Sequence, residues 1–441
     1  MALSSLRPLG SRNFALVWSA ALVSNVGSWM QTVALGYLVT TTTGKPLLTG
    51  AVMAAAFVPM GLLAPVGGAL ADRFDRRRWL MVTTLAEAVL AAVLALLAVG
   101  GHSPVLALTG VVFLGGAAGA VGFPTYQAML PDLVDREDLL AAVSLSSAQY
   151  NLGRVIGPAL AGVVLALAGS AAWVFAINAV SFGAVLVALL LVHLPVRDRP
   201  PVTESMLRRL AEGARVARAE PGCRSAIVLI SIVALVGSPF IGLVSVMARF
   251  GLHHSVHGRH AVAVATAALV TAQGVGAVLG ALGIVPLALR MGRRRMLLGA
   301  LFAFPLALVL YGLAPSLWTG ALAIVVVGGS YIGILSGLNT VVQLRAPEAA
   351  RGRVLGLYMM ALGLIYPVGL LVEGAVAGPV GIATVTVGAG VLLLVAVAGL
   401  AARPGWILDG LREPTPGPER PVESAGTPEV AGEIALGEGG R

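Results

Sequence analysis

Charge is what this chain has least of. Asp, Glu, Lys and Arg make up 11% of its 441 residues and 58% are hydrophobic, whereas a soluble domain carries about 25% charged residues. That balance excludes a soluble globular enzyme. Cysteine is nearly absent: Cys223 stands alone, so neither a disulfide framework nor a cysteine-ligated metal can form within one chain. A phosphate-cradling loop of the G-x-x-x-x-G-K-[ST] kind is missing, which rules out ATP as an energy source inside this chain. Lysine is reduced to Lys45 among 29 basic residues, a mark of base composition and not of chemistry.

What the chain has instead is apolar length. About 20 residues cross a bilayer as a helix, and apolar stretches fall at 14–41, 47–71, 79–100, 104–129, 139–167, 172–194, 225–250, 261–289, 296–314, 317–342, 354–377 and 380–402. They lack the ten-residue alternation of barrel strands. The expectation is an all-α membrane protein of twelve transmembrane helices. The first stretch is long and has no small-residue cleavage site, so a retained helix is expected there and not a signal peptide.

Orientation follows from the arginines, because positively charged loops stay in the cytoplasm. With the N-terminus inside, 25 basic residues fall on the inner side, against Lys45, Arg249 and Arg259 outside and Arg154 within a span. Both termini are therefore expected in the cytoplasm, with the chain in the inner membrane of a prokaryote. The net charge of +9 is spread over every inner loop. That is poor geometry for a nucleic-acid groove, so the expected partners are the lipid bilayer and a small molecule, and the chain is expected to be a monomer.

The stretch 195–224 separates six spans from six. Residues 1–194 and 225–402 read as two six-helix bundles, and 403–441, rich in Pro, Gly and Glu, reads as a disordered cytoplasmic tail. Within the linker, Glu204 to Ala219 can form an amphipathic helix with Met206, Leu207, Leu210 and Ala214 along one side. It either lies on the inner membrane surface or is a solvated connector. The halves repeat. Arg76-Arg77-Arg78-Trp79-Leu80 recurs as Arg293-Arg294-Arg295-Met296-Leu297, Pro131 corresponds to Pro347, Gly153 to Gly369 and Gly162 to Gly378. A duplicated six-helix unit places a substrate site near the midplane between halves that rock to give alternating access.

Two motifs carry a resemblance. The loop after the second span reads Gly68-Ala-Leu-Ala-Asp72-Arg73-Phe-Asp75-Arg76-Arg77-Arg78, and the fifth span contains Gly153-Arg-Val-Ile-Gly157-Pro158-Ala-Leu-Ala-Gly162. The first is similar to the G-x-x-x-D-R-x-G-R-[KR] loop of the major facilitator superfamily, with Asp75 in place of the usual Gly. The second resembles the G-x-x-x-G-P-x-x-G motif associated with its exporters. Gly27-Ser-Trp29-Met-Gln31 and Arg351-Gly352-Arg353-Val-Leu-Gly356-Leu-Tyr358 are similar to the branch holding enterobactin exporters and macrolide efflux proteins. The resemblance covers about residues 1–402 and implies the major facilitator fold. The fourth span lacks the Arg that many proton-coupled drug exporters carry there.

The residues of both motifs have their own physics. Asp72 stands at an inner helix end, where a carboxylate can pair with arginines or accept from a helix N-terminus of the other half. With Gly68, Arg73, Arg76 and Arg77 it forms a candidate inner gate; the alternative is a charge cluster that serves only topology. Gly153, Gly157 and Gly162 leave a groove against a neighbouring helix and Pro158 removes a backbone donor, which suits either a moving interface or tight static packing.

Glu87, Arg154 and Glu373 are the acidic or arginine residues clearly inside spans, where a charge costs about 2.5–3.5 kcal/mol on insertion scales. Glu87 lies about 12 Å into the third span at 1.5 Å per residue, and Arg154 near the middle of the fifth. Glu87 is a proton carrier, a substrate contact or the partner of Arg154. Arg154 contacts an anionic substrate group or serves structure. Asn25, Gln31, Gln127, Asn178 and Gln273, with Gln149 and Asn151, are amides that must line a wet cavity or bridge helices. Trp29, Tyr37, Phe123, Tyr126, Phe240 and Tyr366 either wall a cavity or pack. His253, His257 and His260 would share a face if helical, but no carboxylate accompanies them, so no metal and no cofactor is expected. The function expected is secondary active, proton-coupled efflux of small amphiphilic compounds of a drug or siderophore-like kind. The alternatives are import or facilitated passage of a defined solute, a membrane receptor or scaffold, and an intramembrane enzyme built on Glu87 and Arg154.

Overall fold

The computed structural model describes residues 4–99, 104–192, 206–252, 255–402 and 407–411. Among them are helices and turns and no strand, as lipid demands of a backbone that must satisfy its own polar groups. The first bundle comprises α1 (Arg12–Thr43), α2 (Pro46–Arg73), α3 (Arg76–Ala98), α4 (Val105–Leu133), α5 (Leu139–Ala168) and α6 (Ala171–Leu191). A short α7 (Met206–Ala219) leads to the second bundle, α8 (Pro221–Ile232), α9 (Val244–Val246), α10 (Gly258–Met291), α11 (Arg293–Gly312), α12 (Leu317–Arg345), α13 (Arg351–Val380) and α14 (Ile382–Ala401). Eleven described segments are long and apolar enough to cross a membrane. The remaining crossing is α1, long enough at 32 residues but diluted by Ser24, Asn25, Ser28, Gln31 and Thr32, which recur at helical spacing along one side.

Within the first bundle α2 packs on α4, α1 on α5 and α6, and α3 on α4 and α6; in the second, α10 packs on α12, and α11 on α12 and α14. Two seams join the bundles, α2 against α13 and α5 against α10. Glycine makes the first seam possible. A Cβ added at Gly50 would stand 2.5 Å from the Leu370 carbonyl oxygen, and one at Gly61 would stand 2.7 Å from the backbone of Gly363. Only backbones without side chains approach so closely.

At the end away from the termini the bundles also share hydroxyls. The buried Thr40 Oγ1 bonds both Thr49 Oγ1 at 3.0 Å and Ser245 Oγ at 2.8 Å, and Arg249 donates to the Thr40 carbonyl. Towards the termini end, Ser144, Ser147 and Ala148 of α5 stand exposed. The two bundles are thus bonded together at the far end.

Three expectations need correction. The seventh span is not one helix over 225–250: it starts at Pro221 and passes through π turns (Val233–Gly237 and Met247–Gly251) with a 3-10 turn (Ser238–Ile241) between them. Pro239 has no N–H to continue the ladder; Ser238 Oγ donates to the Val233 carbonyl instead, and α13 closes on the freed Leu235 carbonyl at Gly369. The linker helix α7 rests on protein, not only on a membrane surface or in solvent. It packs on α13 and α8, buries Ala217, pairs Glu212 with Arg353 and meets the Arg353 backbone at Gly213; the side chains of Met206, Leu207 and Leu210 lie outside the described ones. Within the tail, Ile407–Leu411 forms a turn that packs on α8 with Leu408 and Leu411 buried. Residues 412–441 lie outside the described residues.

Candidate functional site

Glu87 stands in the wall between two cavities of the first bundle. One, of about 370 Å³, extends towards the termini end past Asn25, Ser24, Thr84, Tyr126, Gln127 and Ser146. The other, of about 340 Å³, extends towards the far end past Gln31, Thr32, Met53, Phe57, Leu94 and Val111. Ser28, Glu87, Gly119, Phe123, Tyr150 and Phe182 line both. Mid-helix on α3, the half-buried Glu87 faces Gly119, where an added Cβ would be 3.1 Å from its Oε1. It has no hydrogen-bond or ion-pair partner among the described residues.

The expected amides divide by place. Asn25 Nδ2 donates to Gln149 Oε1 at 2.9 Å, and Gln149 Nε2 to the Tyr126 hydroxyl at 3.4 Å, itself 3.3 Å from Ser146 Oγ. This chain forms a polar wall of the first cavity, which Gln127 and Asn151 also line. Asn178, fully buried on α6, donates to Gln31 Oε1 at 2.8 Å and so aims that side chain. Gln273 lies elsewhere, buried on α10 with its Nε2 unbonded. The hydroxyls of Ser24, Ser28, Thr84 and Ser146 were not singled out from sequence; the polar stripe on α1 and the Ser144–Asn151 run on α5 are the signals that mark the three serines, and Thr84 on α3 has no such signal.

Glu87 and Arg154 do not pair. Arg154 is 8% exposed, its Cζ lies 5.4 Å from the Trp29 ring centroid, and the phenols of Tyr150, Tyr331 and Tyr366 lie within electrostatic reach of it. Equal depth along two helices did not bring the side chains together, because α3 and α5 present them in different directions. Around Arg154 the exporter-type glycines do make a groove. A Cβ at Gly153 would meet Asn25 at 3.0 Å and one at Gly157 would meet Trp29 at 2.6 Å, both on α1, while one at Gly162 would overlap the Ala267 side chain of α10. Pro158 is buried in the same helix.

Of the candidate gate, the side chains of Gly68, Asp72 and Arg73 lie outside the described ones. Arg76 and Arg77 bind their own bundle. Arg76 bonds the Ala128 carbonyl and pairs with Asp132 at 3.1 Å, and Arg77 donates to the Leu189 and Leu190 carbonyls at the end of α6. They cap helix C-termini, where cations are favourable. His253 and His254 lie outside the described residues, and among those described no His, Cys, Asp and Glu group could hold a metal.

Comparison with known proteins gives a consistent result. The family described as transmembrane secretion effector matches residues 3–404. The multidrug efflux pump Tap of Mycolicibacterium fortuitum is 29% identical over 377 residues, covering 83% of this chain and 90% of that protein. The enterobactin exporter EntS of Escherichia coli O1:K1 / APEC is 31% identical over 303 residues, 66% of this chain and 68% of that protein. In fold, the chain is similar to a bacterial homologue of the human lysosomal transporter Spinster in its inward-facing, unoccupied conformation, with a TM-score of 0.69 at 16% identity over 91% of this chain and 97% of that one.

Proposed function

The chain belongs to the transmembrane secretion effector family of the major facilitator superfamily and is a multi-pass membrane transporter, and from that premise we propose that it exports small amphiphilic organic compounds in exchange for protons. The observation that carries the proton is the place of Glu87, a carboxylate with no partner among the described residues, in the wall between a cavity towards one membrane face and a cavity towards the other. A charged carboxylate without a partner is costly in the bilayer, so Glu87 is neutral when its surroundings close and ionises when a wet cavity reaches it. Alternating access then offers it to opposite faces in turn. Export is supported by the glycine groove of α5 and by the relatives Tap and EntS, whose names say efflux pump and exporter.

The termini face the cytoplasm of an inner membrane, which makes the state with its far end bonded shut an inward-facing one. Opening outward requires breaking the Thr40–Ser245 and Arg249–Thr40 bonds and parting α2 from α13. Gly68, Asp72 and Arg73 serve as the gate that closes the inner end in the other state. The polar wall of the first cavity, with Asn25 and Gln127, takes the hydrophilic part of a substrate, and Phe123 and Phe182 its apolar body. We assign no catalytic role, since Glu87 and Arg154, the ionisable pair that an intramembrane reaction would use, stand apart.

The test is transport into inside-out proteoliposomes with an imposed pH gradient, using a panel of amphiphilic dyes. Accumulation that requires the gradient supports the proposal. Equal passage with and without a gradient means a facilitator, and accumulation in the opposite orientation means an importer.

A further inference from the structure

Arg154 is a cation with no counter-ion among the described residues, at the junction of the two bundles. Its side chain is 8% exposed, it makes no hydrogen bond or ion pair among the described residues, and its Nε is sealed from solvent with no acceptor. A guanidinium carries five N–H donors and no acceptor. Stacking on Trp29 at 5.4 Å offsets part of the burial, but a buried charge is ordinarily paired and hydrogen-bonded.

The surroundings belong to both bundles. Tyr150 is on α5, Tyr331 on α12 and Tyr366 on α13. Gly274 of α10 comes so near that an added Cβ would stand 2.9 Å from the Arg154 carbonyl oxygen. Next to Gly274, the side chain of Gln273 is buried with its Nε2 unbonded. The acids of the spans, Glu87 and Glu373, form no pair with Arg154. A positive group, further donors, aromatic faces and no carboxylate describe what is missing: an acceptor-rich anion on an aromatic or apolar body.

We infer that Arg154 holds the anionic group of the transported molecule, a sulfonate, carboxylate or phosphate, with Trp29 stacked beside it at the junction of the bundles. This rests on the reading of the chain as a transporter of small amphiphilic compounds. It narrows the substrates to organic anions and makes Arg154 a specificity residue separate from Glu87. The guanidinium suits the task because its planar fork matches planar oxyanions with two parallel bonds.

Two fluorescent probes with one aromatic body test it: anilinonaphthalene sulfonate, which is anionic, and phenylnaphthylamine, which lacks the sulfonate. Both are titrated into the purified full-length protein in detergent. Arg154→Gln should weaken binding of the sulfonate by about tenfold or more, the loss expected for a charge-assisted hydrogen bond, and leave the amine unchanged. Arg154→Lys, charged but without the fork, should fall between. A folded Arg154→Gln protein that binds both probes as wild type does would overturn the inference, as would equal losses for both. Should Arg154→Gln not fold, wild type decides by competition. Naphthalene sulfonate should displace the anionic probe and methylnaphthalene should not, whereas equal displacement overturns the assignment. No gradient is imposed, so failure here leaves proton-driven export standing, and failure of proton coupling leaves this result intact.

Discussion

Gly50→Ala adds one methyl group where the two bundles have no room for it. That methyl would stand 2.5 Å from the Leu370 carbonyl oxygen and 3.3 Å from its carbonyl carbon, whereas ordinary contact begins at 3.4 Å. The obstacle is backbone, which cannot rotate aside as a side chain does, so α2 must withdraw from α13 by about 1 Å in a closely packed seam. Overpacking of this kind costs about 1–3 kcal/mol. Because the seam at this level lies near the far end, the strain falls on the state closed there and not on the state open there. A difference of about 1–3 kcal/mol shifts a two-state equilibrium by roughly 5- to 150-fold. Spin labels on cysteines at Trp173 and Trp318, exposed at the far ends of α6 and α12, report the separation by pulsed electron resonance, with the buried Cys223 unlabelled. The control is Gly110→Ala, whose methyl meets nothing within 4 Å. Gly50→Ala should enrich the long-distance population and the control should not. Identical distance distributions in two folded proteins would refute the view that this seam opens during transport.

Topology is tested by thiol labelling: Ser255→Cys should react with an impermeant maleimide in intact cells, the buried Cys223 staying silent, and reaction only after the cells are permeabilised would invert the assignment. Asp132→Asn removes the charge of one partner of Arg76, and both side chains are largely buried at 13% and 7% exposure; stability should fall by about 3 kcal/mol, near the lower end for a broken buried pair, and an unchanged thermal melt would make the contact incidental. Because Glu87 and Arg154 stand apart, the stability effects of Glu87→Gln and Arg154→Gln should add within about 0.5 kcal/mol. Rescue of one by the other in thermal melts would mean that they pair in the prevailing state.

Much of the frame was legible from residues alone. Apolar runs of membrane length and the Arg76/Arg293 repeat led to two six-helix halves, and the α5 glycines do sit in a groove against α1 and α10. What sequence did not reveal is angular. Glu87 and Arg154 share a depth, yet in helices apolar on most sides no period tells which way a side chain points, and they face different surroundings. The break after α8 was carried by Pro239 with Gly237 and Gly242, but proline and glycine are common in membrane helices and did not stand out. The seam glycines Gly50, Gly61 and Gly363 were likewise hidden among 56 glycines. The docking of α7 and Ile407–Leu411 depends on the shape of the second bundle's end, which no local pattern encodes.

The central claim is that Glu87 carries the proton that drives export, and its most direct test is Glu87→Gln in proteoliposomes. The amide keeps the size of the protonated acid and cannot release a proton. Uphill, gradient-driven transport should therefore vanish, while gradient-independent exchange of labelled for unlabelled substrate persists, since binding and rocking need no proton release. Gradient-driven transport at the wild-type rate in a stably folded Glu87→Gln protein would contradict the account.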